Sequence, residues 1–215
     1  MKSNKFIEFF AQQPVLWDMF ELVFGSDKDK LKLYRSKVGN PKKMMDFGCS
    51  SGNVTGAFLD LDYTGVDIDK QLIIHARKKW KNYPNIKFIA TDILRPNRKL
   101  GKFDVILFAG TGHHLPDELY LKVFQALNGY LKKGGIIHYI DTIRSSPSDS
   151  LFAKFMCLID RGNYIRTKKH SMSLIKQLSK TYRVVSSSEE HISNTLMPHP
   201  LYLYVKLKSK IYSTL

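Results

Sequence analysis

Met44-Met45-Asp46-Phe47-Gly48-Cys49-Ser50-Ser51-Gly52-Asn53 decides how this chain folds. The apolar start reads as a buried strand. It ends in an acid, turns through two glycines and leads into a helical pattern. An open α/β sheet presents a backbone loop to a nucleotide-like ligand in this way. Asp67 follows 21 positions after Asp46, at the end of the next apolar run, where a ribose hydroxyl needs an acceptor.

Outward from this loop, strand and helix alternate. Short runs rich in Val, Ile and Phe predict strands at Lys43–Phe47, Tyr63–Val66, Ile86–Ala90, Asp104–Phe108 and Ile136–Ile140. Helical spacing predicts Asn53–Leu59, Asp69–Trp80 and Pro116–Leu131, the last closed by Gly134-Gly135. Repeated βαβ units imply a doubly wound, Rossmann-like α/β sheet with right-handed crossovers. Residues 1–40 read as an N-terminal helical cap, with apolar Phe6, Phe9, Phe10, Leu16 and Phe20 at helical spacing and a breaker at Gly39-Asn40-Pro41. Residues 41–215 form the main domain. Beyond Asp141 the alternation lapses into a loop at 145–148, helices at Leu151–Ile159 and Met172–Ser179, and closing strands at Tyr182–Ser186 and Leu201–Leu207. The insertion at about 145–171 is where such a fold builds a lid over a substrate.

A chain of 215 residues suffices for one domain with a full core. No run approaches the roughly 18 apolar residues that span a bilayer, and no signal-peptide core is expected at the start. Cys49 and Cys157 lack paired spacing, so a reducing, cytoplasmic setting is expected, with neither a disulfide framework nor a metal site. The net charge is +15, and beyond Asp141 twelve Lys or Arg face four acids. That surplus fits an anionic partner (nucleic acid, a phosphorylated metabolite or a membrane surface) as well as a solvated lysine-rich exterior.

The loop's charge narrows the ligand. A dinucleotide loop, G-x-G-x-x-G, has a middle glycine that lets the backbone approach a pyrophosphate. Here Ser50 holds that place and Asp46 stands two residues before Gly48. A fixed carboxylate repels pyrophosphate but suits the ammonium and sulfonium of S-adenosylmethionine, the expected cofactor. Asp67 can accept from both ribose hydroxyls. Asp92 can take the adenine amine, with Ile68 and Ile93 sandwiching the ring. Gly48, Cys49, Ser50, Gly52 and Phe108 complete the expected lining. Each acid could instead be a helix N-cap, and Asp69 reads that way because it directly precedes a helical run.

From Lys43 to Asp141 the chain resembles the class I S-adenosylmethionine-dependent methyltransferases. The likeness rests on Asp46–Gly52, Asp67, Thr91-Asp92, Phe103–Leu107, Gly112-His113-His114-Leu115 and Leu131–Gly135. It implies seven strands with the last one antiparallel, and a cofactor lying across the carboxyl ends of the first strands. Ser50 departs from the family's frequent glycine and implies a tighter loop. The family's amino-directed nucleic-acid branches place an Asn or Asp, two prolines and an aromatic after the fourth strand, where this chain has Phe108-Ala109-Gly110-Thr111. The His113-His114-Leu115 element instead looks like the branch acting on small molecules and lipids. The expected partner is therefore a small or lipid-linked, anionic acceptor. An RNA substrate and a non-catalytic scaffold are the alternatives.

Transfer from a sulfonium needs positioning first, and a base only where the acceptor must lose a proton. His113 and His114 are candidates for that base or for holding the acceptor; equally, one could pack on the next helix while the other caps it. Asp141, Tyr164 and Arg166 are further candidates, since Arg forks suit phosphate or carboxylate. Trp17 and Tyr34 could close over the cofactor or belong to the core. His138 reads as structural.

Overall fold

The computed structural model describes residues 27–144, 162–194 and 197–210. The helices expected within residues 1–26 and at Leu151–Ile159, the loop at 145–148 and the role suggested for Trp17 lie outside the described residues. In chain order the elements are α1 (Asp27–Val38), β1 (Lys43–Phe47), β2 (Asp62–Asp67), α2 (Lys70–Lys79), β3 (Ile86–Ala90) and β4 (Phe103–Ala109). They continue with α3 (Asp117–Asn128), β5 (Leu131–Thr142), α4 (Lys168–Gln177), β6 (Tyr182–Asn194) and β7 (Met197–Ser209).

The seven strands lie in the order β3-β2-β1-β4-β5-β7-β6. The first five pair in parallel, and β7 runs antiparallel to both β5 and β6. Alternation along each strand feeds two cores. Met45, Phe47, Ile106, Phe108, Leu203 and Val205 face a layer holding α3 and α4. Met44, Tyr63, Leu107, Tyr202 and Tyr204 face the layer of α1 and α2, where Tyr34 is buried. Both faces are covered, as a parallel sheet requires, and the loops at the carboxyl ends of β1 to β5 are left to build a site.

Four elements depart from the sequence reading, one of them β6, expected to end at Ser186, which runs on to Asn194. The helix expected at Asn53–Leu59 shrinks to one 3-10 turn at Thr55–Ala57, because Gly52 takes a positive φ of 79° and its carbonyl is claimed by Trp80 Nε1 (3.1 Å). Gly134-Gly135 does not close α3, which stops at Asn128. The pair instead lies inside β5, where Gly134 at φ 71° lets the register jump from Phe103↔Leu131 to Val105↔Ile136. The helix expected at Met172–Ser179 starts earlier, at Lys168, because Thr167 accepts the His170 N–H as its N-cap (3.2 Å).

Candidate cofactor and acceptor site

The glycine loop is stitched to the end of β2. Gly48 N–H and Cys49 N–H both donate to Val66 O (2.8 and 3.2 Å). Gly48 has φ 75°, and a β-carbon there would fall 2.2 Å from Thr111 Oγ1. Ser50 is the one non-glycine residue among those described with positive φ, at 51°. An L-residue in this conformation is strained by about 1 kcal/mol. Its N–H donates to Asp67 Oδ2 at 2.8 Å, while Asp69 N–H donates to Oδ1 at 3.0 Å. Asp67 therefore holds the loop and keeps further lone pairs for a ligand. Gly48→Ala should weaken binding of S-adenosylhomocysteine about tenfold, through φ strain and displacement of Thr111; unchanged affinity in a titration would rule out this close approach.

Asp46, at the carboxyl end of β1, is buried. Tyr63 OH donates to its Oδ2 at 2.6 Å, and Thr55 Oγ1 donates to Tyr63 OH at 3.0 Å. Burial pushes the Asp46 carboxyl up to about 7; the Tyr63 hydrogen bond pulls it down and nearby Asp67 raises it further. Asp92, after β3, accepts the Leu94 N–H (3.0 Å) and lies 3.5 Å from Arg95 Nε. Asp69 caps α2 through Gln71 N–H and Leu72 N–H (2.8 and 3.1 Å), as its position suggested. Cys49 is buried and packs on Gly65, and burial drives its thiol far above the ordinary range. It is an inert small residue rather than a nucleophile.

Two expected cofactor contacts are corrected. Phe108 is fully buried among Phe47, Tyr120, Phe124 and Tyr139, so its ring belongs to the core, which alternation along β4 assigns to the α3 face. Ile93 is also in that core, 5% exposed. Of the expected sandwich only Ile68, 71% exposed, presents its side chain at the surface.

On the other side of the loop the catalytic candidates fall into one cluster. His113 Nδ1 lies 2.5 Å from Asp141 Oδ1, and both residues are buried. Asp141 also accepts from Tyr139 OH and from Thr142 N–H (3.0 Å each). His114 is exposed and its ring lies against that of His113, tilted by 42° at 4.2 Å between centroids. Tyr164 N–H donates to His113 O (2.9 Å), and the residue is 43% exposed. A β-carbon at Gly162 would meet the His113 ring at 2.0 Å, so only glycine fits there.

Arg166 is not available to a substrate, contrary to the sequence expectation. It is buried; Nε donates to Asp117 Oδ1 (2.8 Å), Nη1 to Gly112 O (2.9 Å) and Nη2 to Leu115 O (2.5 Å). The guanidinium also covers the Tyr120 ring at 4.7 Å. It clamps the segment after residue 161 to the 112–117 loop. Asp117 receives His170 Nε2 as well (2.7 Å). Burial alone would raise the Asp117 carboxyl, but the hydrogen bonds from Arg166 and His170 outweigh it and hold it below the usual range. Arg166→Lys should cost about 2 kcal/mol of stability, because one ammonium cannot serve three diverging acceptors; a melting temperature equal to the parent's would contradict the clamp.

Sequence reasoning missed Tyr63, Thr55, Thr111 and Asp117. For Tyr63 a signal existed: a buried acid needs a donor, and Tyr63 opens the adjacent strand. Among the described residues no group of three His, Cys, Asp or Glu side chains is placed to hold a metal.

Residues 44–135 match the model of a methyltransferase domain family. This segment is similar to methyltransferase domains. The chain is similar in fold to the N-methyltransferase NodS from Bradyrhizobium japonicum WM9, solved with S-adenosylhomocysteine: TM-score 0.68 and 16% identity over 96% of this chain and 98% of that one. It is also similar to 1,6-didemethyltoxoflavin-N1-methyltransferase from Burkholderia thailandensis, solved with 1,6-didemethyltoxoflavin and S-adenosylhomocysteine (TM-score 0.65, 15% identity, 96% and 86% covered). In sequence, 77 residues of the chain are 34% identical to the non-reducing polyketide synthase sor2 of Hypocrea jecorina (strain QM6a); they cover 32% of this chain and 3% of that protein. No helix among the described residues is long and apolar enough to cross a membrane.

Proposed function

We propose that this protein transfers the methyl group of S-adenosylmethionine to a small or lipid-linked, anionic acceptor, at oxygen or nitrogen. The observation that carries this reading is the row of acids Asp46, Asp67 and Asp92 at the carboxyl ends of the adjacent strands β1, β2 and β3, around a loop whose glycines leave room for a ligand. The donor set fits the cofactor: Asp67 for the ribose hydroxyls, Asp92 for the adenine amine, Ile68 as a cover for the ring and Asp46 for the ammonium. When bound, the cofactor supplies a methyl group already activated on its sulfonium. The chain's task is then to align an acceptor, exclude water and, where needed, remove a proton.

The acceptor side of this reading is the 110–117 loop with Tyr164. Asp141 orients His113 through Nδ1, which suits His113 to accept the acceptor's proton at Nε2. Once an acceptor pool turns over, His113→Asn should lower the rate about 100-fold with S-adenosylhomocysteine affinity unchanged. The first experiment is calorimetric titration with S-adenosylhomocysteine and, separately, with NAD. Micromolar binding of the former alone supports the reading. Binding of NAD alone would replace it with a dehydrogenase, and cofactor binding without transfer to any acceptor pool would leave a scaffold.

A further inference from the structure

Charge is segregated along the strand axis. The acids Asp46, Asp67, Asp69, Asp92, Asp117 and Asp141 gather at the carboxyl ends of the parallel strands. The amino ends carry lysines. Lys43 opens β1, with its Nζ over the Phe103 ring (5.0 Å) at the start of β4. Lys102 precedes β4 and donates to Gly129 O (2.5 Å), just before β5. Lys132 and Lys133 begin β5. Lys208, whose Cε lies 3.6 Å from where a Gly134 β-carbon would sit, and Lys210, bonded to Ser179 O (2.7 Å), end the antiparallel β7 on the same side. The acids at the starts of β2 and β4 are Asp60, Asp62 and Asp104 among the described residues; Asp104 already holds Lys132 (2.8 Å) and Asp60 pairs with Arg35 (2.7 Å). Beside Lys208, β6 exposes Val184 and Val185 (42% and 46%).

A cavity of about 400 Å³ runs along the β3–β4 connection, from Ile93 and Leu94 after β3 to Gly101, Lys102 and Tyr130 at the starts of β4 and β5. Apolar Ile93, Leu94, Pro96 and Tyr130 and the cations Arg98 and Lys102 all contribute to its lining. Lysines on a broad face, exposed valines and an apolar recess between cations suit acidic headgroups above aliphatic chains. A phosphodiester strand would use the cations but neither the valines nor the recess. The lysines themselves lie about 20 Å from the carboxyl-end loops, the length of a strand, so they are not part of the methyl-transfer site.

We propose that the amino-end face of the sheet is a docking surface for an anionic lipid bilayer. It would adsorb the protein by its lysines while leaving the reaction end directed away from the membrane. The proposal goes with the small, diffusible acceptor of the proposed function, because a lipid-linked acceptor in the same bilayer would lie about a strand's length from the reaction end. To test it, the full chain is sedimented with phosphatidylcholine vesicles, with and without roughly 30 mol% phosphatidylserine, and with a single-stranded RNA oligomer as competitor. Binding is expected to the phosphatidylserine vesicles alone and to be lost at about 0.5 M salt. The double variant Lys133→Glu/Lys208→Glu should bind at least about tenfold more weakly, with melting temperature and S-adenosylhomocysteine affinity unchanged. Lys122→Glu/Lys169→Glu, equal in charge but on the first halves of α3 and α4, nearer the carboxyl-end loops, should bind as the parent does. No binding to acidic vesicles, equal loss in both double variants, or RNA that displaces the vesicles and binds more tightly would each overturn the proposal.

Discussion

Asp67→Ala is expected to weaken S-adenosylhomocysteine binding at least about 100-fold, the larger share of it through the protein rather than through direct contact. The carboxylate accepts Ser50 N–H and Asp69 N–H, at 2.8 and 3.0 Å. Each such charge-assisted bond is worth about 1.5–3 kcal/mol. Ser50 sits at φ 51°, a conformation that relaxes once its N–H loses the acceptor. The variant therefore removes the ribose partner and lets the loop that forms the rest of the pocket collapse. Asp67→Asn should fall between parent and alanine, because its carbonyl oxygen can serve one N–H while its amide faces the other donor. Calorimetry checks both. An Asp67→Ala affinity within about threefold of the parent's would mean that the acid is only a turn-former and that the ribose lies elsewhere.

What the sequence disclosed and what it withheld follow from range. Alternation of Met44 and Met45, of Leu203 and Tyr204, and the apolar runs between glycines are local signals set by a period of two, and the sheet follows them. Asp69 was legible as a cap because capping joins neighbours. Arg166 was misread because its role depends on carbonyls 51 and 54 positions away; no spacing rule distinguishes a guanidinium that clamps a loop from one that awaits a substrate. Phe108 and Ile93 were placed at the right strand ends but on the wrong side, since proximity to a site in sequence does not fix which face a side chain takes. Gly134 lies in β5 rather than after α3 because the same residue that ends helices also permits bulges.

Asp46→Asn should act in opposite directions on stability and on binding. Burial raises the folded-state carboxyl from 3.8 to about 7, so the folded protein holds a proton that the unfolded chain releases at lower pH. A raised pKa contributes stability that is fully present below the unfolded value and lost as pH rises through the folded one. The ligand-free parent should therefore lose stability between about pH 4 and 7 and level off above. Asparagine can still accept from Tyr63 OH but carries no charge, so the variant should be flat across this window and about 2–3 kcal/mol more stable than the parent at pH 8, after allowing for a poorly placed amide. Binding should move the other way, because an ammonium beside Asp46 draws on the ionised form; affinity should drop about tenfold. In the parent, titration at pH 6 in buffers of different ionisation enthalpy should then show proton release, and the variant should show less. A variant whose melting temperature tracks the parent's at every pH would show that the Asp46 charge is not what the fold pays to bury. A stability gain without loss of affinity would detach Asp46 from the ammonium while leaving its burial intact.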